Sequence, residues 1–203
     1  NMVKHHWHEE VELLYFSGGE FCLEVNMERF HISEECFYFI NPGELHSINV
    51  EKNGGCVENA VVFHMDMLNS SYSLDQIQTN LIQPVQNGSI QFPRCLRKDE
   101  PAFEQVRTAY EEIQNAFSGS AYRGDYYDGE AVTDDITRQL FIKSALLRIL
   151  AVLSANNLFE VTEKNHDRRI ETIKTTLTYI QENYKEKIYI RDLAGLIGMN
   201  EQY

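Results

Sequence analysis

At 203 residues the chain is long enough for one good core, or for one domain and part of another, and it has no apolar run of membrane-spanning length and no signal peptide. A formal net charge of −13 argues against a nucleic-acid-binding surface on the chain as it stands. Cys22, Cys36, Cys56 and Cys95 form no Cys-x-x-Cys pair, which excludes a zinc ribbon and fits reduced thiols in a soluble cytoplasmic protein.

The charge is unevenly spread. Residues 1–163 hold 11 lysines and arginines against 25 aspartates and glutamates, whereas residues 164–203 hold 7 against 6. Such asymmetry predicts a separate C-terminal module with a different partner. Asn1 before Met2 reads as a cloning remnant or fragment boundary and is left out of the fold reading.

From about residue 3 to 98, short apolar and aromatic runs separated by turn signals predict eight or so antiparallel strands with no helix between them. Strands are expected at 11–16, 21–26, 29–32, 36–40, 45–50 and 57–65, with turns at Ser17-Gly18-Gly19, Asn41-Pro42-Gly43 and Asn53-Gly54-Gly55. Residues 69–88 are polar and read as an extended excursion, and 90–96 as an edge segment on account of Pro93. The expected fold class is α+β: a small closed or sandwiched antiparallel barrel (1–98), a helical dimerisation segment (99–160) and a partial helix-turn-helix (161–203).

On an extended strand alternate side chains share a face, so His6, His8 and Glu12 can point into one interior if the strand is unbroken, and His46 could close the set from another strand. Three imidazoles and a carboxylate are ligands that zinc, nickel or iron accept, which makes a divalent metal the candidate cofactor. The same groups also suit a pocket for a small organic effector, with Trp7 and Tyr15 as stacking surfaces.

The stretch resembles the first cupin motif, His-x-His, three residues, Glu, six residues, Gly: His6, His8, Glu12 and Gly19 occupy every fixed position. The second cupin motif is matched by Gly43 and His46 at the right spacing, with Pro42 one place late, Asn49 one place early and Glu35 where its leading glycine would fall. The resemblance implies His6, His8, Glu12 and His46 as metal-ligand positions.

Beyond the barrel, Phe103, Val106, Tyr110, Ile113 and Phe117 at spacings of three and four predict a helix from near Pro101. A Gly- and Tyr-rich break at 118–128 precedes a second helix, opened by Asp134 or Asp135 and running to about Asn157. Its apolar circumference is wider than one contact needs, so it is expected between two surfaces, one of them a second subunit or both within the chain. Asn165-His166-Asp167 caps a third helix with a stripe of Ile170, Ile173, Leu177, Ile180 and Tyr184. A short helix over 190–197 stops at Gly198, and Asn200 is placed to cap another.

Ile188-Tyr189-Ile190-Arg191-Asp192-Leu193-Ala194 followed by Gly198-Met199-Asn200 resembles the first helix-turn-helix of AraC-family transcription regulators, where serine usually stands at the Asn200 position. That family joins a cupin-like sensing and dimerisation domain to a DNA-binding domain of two such motifs, and most of the second half is absent from these 203 residues. The resemblance implies a non-enzymatic, homodimeric regulator. It binds a small molecule, a sugar or related metabolite, in its barrel and engages DNA only in a longer chain, with no membrane partner. The rival expectation is a metal-dependent cupin enzyme, an isomerase or dioxygenase, using His6, His8, Glu12 and His46.

Overall fold

The computed structural model describes residues 2–72, 74–118, 135–162 and 168–198, with the backbone alone at 2, 51–58, 118 and 168. Eight strands are present among them: β1 (Met2–His6), β2 (Val11–Val25), β3 (Glu28–Ile32), β4 (Cys36–Ile40), β5 (His46–Phe63), β6 (Ile90–Gln91), β7 (Cys95–Arg97) and β8 (Glu160–Val161). Six form an antiparallel rolled sheet in the order β1-β5-β2-β4-β7 with β3 also on β2, and β6 pairs with β8 apart from it.

The Gly pairs at 18–19 and 54–55 do not reverse the chain, as the sequence suggested; they lie within the two longest strands. β2 stays paired to β5 from Val11 to Val25, with register shifts between Phe16 and Phe21, and Gly19 adopts φ 102°. A bulge of this kind changes which face a strand's alternate residues occupy. Leu14 and Phe16 before it, and Phe21, Leu23 and Val25 after it, therefore share one cluster although their parity differs. The reversal from β2 to β3 is made by Asn26 and Met27, both at positive φ (48° and 71°), as two-residue hairpins of right-handed twist require.

The two faces of the sheet are both apolar and serve different layers. Leu14, Phe16, Phe21, Leu23, Ile32, Tyr38, Ile40 and Ile48 fill the barrel. Val11, Leu13, Phe37, Phe39, Val61 and Phe63 face outward into a second cluster built with the helices. Burying a side chain of this size contributes about 1.5–3 kcal/mol, so a charge at these positions would be costly.

The polar stretch after β5 holds helix rather than the expected extended chain. A 3-10 turn (Met65–Leu68) is followed by a π-helical segment (Gln78–Ile82) that runs into α1 (Gln83–Gln86). Ile82 and Val85 are buried there, Asp75 accepts from the backbone N–H of Ile77 at 2.9 Å, and Pro84 sits in the first turn, where a missing N–H is tolerated. Polar composition concealed a helix held by only a few apolar anchors.

α2 (Phe103–Ser118) and α3 (Ile136–Ala155) pack on the sheet's outer face. Asp135 caps α3, its carboxylate accepting from Thr137 and Arg138 N–H groups at 2.9 and 3.3 Å. α3 buries Ile142, Ala145, Leu146, Ile149, Leu150 and Leu153, while Ile136, Leu140, Phe141 and Leu147 are exposed. α4 (Arg168–Asn183) and α5 (Ile190–Ile197) follow, and α5 stops at Gly198 in the left-handed conformation, φ 65°. Beyond the backbone of Ser118, the break expected at 118–128 lies outside the described residues, as do the cap at 165–167 and the helix expected from Asn200.

Candidate functional site

The site lies at one end of the barrel, where β1 runs out and the β4–β5 connection returns. β1 ends at His6, which pairs with His46 across the sheet, and Trp7 and His8 continue in the connection to β2. Glu12 and His46 thus join the barrel interior and His6 and His8 stand at its rim. The four side chains meet: one ligand atom from each of His6, His8, Glu12 and His46 lies within 4.8 Å of all the others. The His6 and His46 ring centroids are 4.2 Å apart, and those of His8 and His46 5.1 Å.

Each imidazole is oriented by the backbone. Nδ1 of His6 lies 2.9 Å from the Lys4 carbonyl oxygen, Nδ1 of His8 3.1 Å from that of Glu10, and Nδ1 of His46 2.8 Å from that of Glu44. A carbonyl only accepts, so Nδ1 donates in all three rings and Nε2 turns to the site, protonated in any ring where it donates to Glu12. Nε2 of His8 and of His46 both face Glu12 Oε2, at 3.2 and 3.0 Å.

The electrostatics follow from this crowding. Burial alone would raise the Glu12 carboxyl, but hydrogen bonds from His46 and His8 hold it down at about 2. His8 is raised above the usual imidazole value, first by its bond to Glu12 and against its own partial burial. His6 is lowered, chiefly by burial and then by the neighbouring His46, against the upward pull of the Lys4 carbonyl.

His46 is delivered by a turn with its own polar lock, and this is what sequence reasoning missed. Glu44 is buried, and its carboxylate accepts from both guanidinium nitrogens of Arg94, from the Asn41 N–H at 2.7 Å and from the Asn26 side-chain amide at 3.3 Å. Arg94 also donates to the Phe39 carbonyl at 2.7 Å. The Asn41 carboxamide accepts from the Phe92 N–H at 2.8 Å, and Asn26 Oδ1 accepts from the Leu45 N–H at 3.1 Å. Gly43, at φ 76°, donates its N–H to the His8 carbonyl at 2.8 Å and so joins the two halves of the site. Glu44 belongs to the Pro42-Gly43-Glu44 turn and was visible there. Arg94, fifty residues later, carried no local signal.

Two residues expected in the pocket are elsewhere. Tyr15 has the opposite parity to Glu12 on β2 and lies on the outer face, stacked on Phe37 and tilted against Tyr110. Its hydroxyl donates to Glu35 at 2.5 Å, and burial together with that carboxylate pushes its pKa up to about 12. Trp7 lies on the α4 side of the rim. With Glu9 it lines a cavity of about 430 Å³ whose other wall is α4, including Lys174, Thr178 and Tyr179, and Leu196 of α5. A second cavity, about 560 Å³, lies between the Asn41–Glu44 turn, the Gln86–Gly88 loop and Ile170, Glu171 and Lys174 of α4.

The donor set fits a divalent metal. Zinc bonds of about 2.0–2.1 Å place neighbouring ligand atoms about 3–4 Å apart, close to the present spacing. Three Nδ1–H groups held by carbonyls are the outer-shell support that such ligands need. A rolled antiparallel sheet with a polar rim at one end and helices against its outer face defines a cupin-like ligand-binding domain. The chain belongs to the AraC-like ligand-binding domain family, whose model matches residues 2–123.

Among solved structures the chain is similar to ToxT from Vibrio cholerae, at 9% identity and a TM-score of 0.40, covering 99% of this chain and 67% of that one. It is also similar to ToxT of Vibrio cholerae strain SCE256 bound to an unsaturated fatty acid, at 10% identity and a TM-score of 0.39, covering 98% and 64%. The AraC-like transcriptional activator CuxR matches at 8% identity and a TM-score of 0.41, covering 96% of this chain and 59% of its own. No curated protein sequence matches. Among the described residues no helix is long and apolar enough to cross a membrane.

Proposed function

We propose that this chain is the effector-sensing and dimerising part of a cytoplasmic AraC-like transcription regulator, with His6, His8, Glu12 and His46 as a divalent metal site in its sensor barrel. The observation that carries the reading is the convergence of three carbonyl-anchored imidazoles on one buried carboxylate. Zinc, nickel or iron bound there would supply a Lewis acid, and the hydroxyls of a sugar or related metabolite are suitable oxygen donors for it. The apolar side chains behind Glu12 and His46 leave the effector at the rim rather than deep in the barrel.

Linkage to DNA binding has a physical route in this reading. Residues 6–9 alternate between the histidine cluster and the α4 side: His6 and His8 face the cluster, Trp7 and Glu9 the cavity against α4. An effector that binds one placement of the rim better than another shifts α4 by that difference in affinity and no more. The exposed stripe of Ile136, Leu140 and Leu147 on α3, with Phe141 beside it, supports a homodimer through that helix. DNA would be engaged only by a longer chain carrying a complete C-terminal domain. Leu140→Glu should turn a dimer seen by sedimentation into a monomer.

The deciding experiment is elemental analysis of protein purified without a metal-affinity step, with His46→Ala beside it. Near-stoichiometric metal, lost in the variant, is the expected result. No metal after incubation with zinc, nickel and iron would overturn the metal site and leave an organic-effector pocket. The histidine cluster also suits the rival metal-dependent isomerase or dioxygenase, and turnover by the metal-loaded chain would favour it over a regulator.

A further inference from the structure

We propose that Cys95 and Cys36 form a peroxide-reactive thiol pair, in which Cys95 is the nucleophile and Cys36 the resolving thiol of an intramolecular disulfide. The pair stands apart from the histidine cluster, on the β4–β7 edge of the sheet. Its placement follows from the register: Cys36 opposes Arg97 and Tyr38 opposes Cys95, so all four side chains share one face and the cysteines are diagonal neighbours. Both thiols are free, and both line a cleft of about 290 Å³ together with Ser33, Tyr38 and Arg97.

The surroundings assign the two roles. Cys36 is buried at 5% exposure, whereas Cys95 is partly open to the cleft. Hydrogen bonds from Cys36 and Tyr38, with the Arg97 guanidinium nearby, hold the Cys95 thiol below the ordinary range against its burial. The Cys36 thiol is pushed up, first by its bond to Cys95 and then by burial. A partly exposed thiolate beside a protonated, sheltered thiol is the arrangement that selective oxidation needs. β7 has three residues and ends the sheet's hydrogen-bonded path, so moving Cys95 toward Cys36 disturbs one short edge rather than a central strand.

The chemistry balances with a hydroperoxide as oxidant. The Cys95 thiolate attacks the outer peroxide oxygen, the O–O bond breaks, and with one proton taken up the products are Cys95 sulfenic acid and an alcohol, or water from hydrogen peroxide. Cys36 sulfur then attacks the sulfenic sulfur, and its proton leaves with the departing hydroxide as a second water. The two sulfurs together lose two electrons, and the peroxide gains them. The residue before Cys95 is Arg94, whose guanidinium locks Glu44, so a displaced β7 reaches the turn that carries His46.

The test uses the full chain at pH 7 with a chelator present and a few equivalents of hydrogen peroxide, followed by thiol titration and peptide mapping. The expected result is loss of two of the four thiols, one cross-linked peptide joining Cys36 to Cys95, and full reversal by dithiothreitol. Iodoacetamide should label Cys95 a few-fold faster than a cysteine in an unstructured peptide, because the larger thiolate fraction outweighs the lower nucleophilicity of a less basic thiolate. In Cys36→Ser, dimedone should trap Cys95 as the sulfenic acid. Earlier consumption of Cys22 or Cys56, intermolecular disulfides, or Cys36 and Cys95 modified in separate peptides would overturn the proposal. The mapping on unsubstituted protein decides the matter even where a variant folds poorly.

Discussion

Two buried polar clusters sit at the same end of the barrel, and they differ in whether their donors can give up a proton. Glu44 is held by donors that keep their protons: the two terminal guanidinium nitrogens of Arg94, the Asn41 N–H and the Asn26 amide. Glu12 is held instead by Nε2 atoms of two imidazoles, with a third alongside, and imidazole is a group that can give up a proton to take a metal ion. The first cluster holds a turn; the second is fitted to exchange protons for something else. Both carboxylates are buried, so the exchangeability of the donor protons is what separates the structural network from the candidate site.

Breaking the Glu44 cluster should have the largest effect. Arg94→Ala leaves a buried carboxylate without its main partner and should cost about 3 kcal/mol, roughly 10 °C in thermal midpoint by calorimetry. The histidine cluster should respond to ligand instead: zinc at a hundred times its dissociation constant should stabilise the chain by about 2.7 kcal/mol, and His46→Ala should abolish that gain. A variant that loses the zinc effect while keeping its metal-free stability would separate the two clusters cleanly.

Acid titration sharpens the contrast. The folded Glu12 carboxyl lies near 2, below its unfolded value, so it contributes stability above about pH 4.5 that disappears as the pH falls toward 2. Over that window the metal-free chain should lose on the order of 2 kcal/mol more than Glu12→Gln does, measured by urea unfolding. His8 has the opposite sign: its raised folded pKa contributes stability below about pH 6.5 that is lost as the pH rises through the folded value. Metal affinity should strengthen over that same rise, because the ion displaces the His8 proton. The smallest effect is at Tyr15→Phe, about 1 kcal/mol from the lost bond to Glu35, with metal content unchanged.

The histidine cluster was legible because its members are close in sequence or carried by a compact turn motif. His6, His8 and Glu12 fall within seven residues, and Gly43 with His46 keeps a recognisable spacing. The α2 stripe was equally plain, since Phe103, Val106, Tyr110 and Ile113 repeat at helical spacing and are all buried. Tyr15 differs by parity: an odd position on a strand whose even positions face the site belongs to the other face. The segment at 76–86 was hidden by its polar composition, with helix anchored at Ile82 and Val85.

By itself the sequence determined the residue types of the site, the helical stripes and the strand-forming runs, because these depend on side-chain chemistry and on periods of two and 3.6 residues. Only the tertiary structure decided that two glycine pairs bend long strands instead of reversing them, since a partner strand that follows the bend is what turns a turn signal into a bulge. It also decided which carboxylate would be locked and which left to bind. That choice rested on Arg94 reaching Glu44 across fifty residues, a contact set by the pairing of β4 with β7, and no local pattern encodes a pairing of that range.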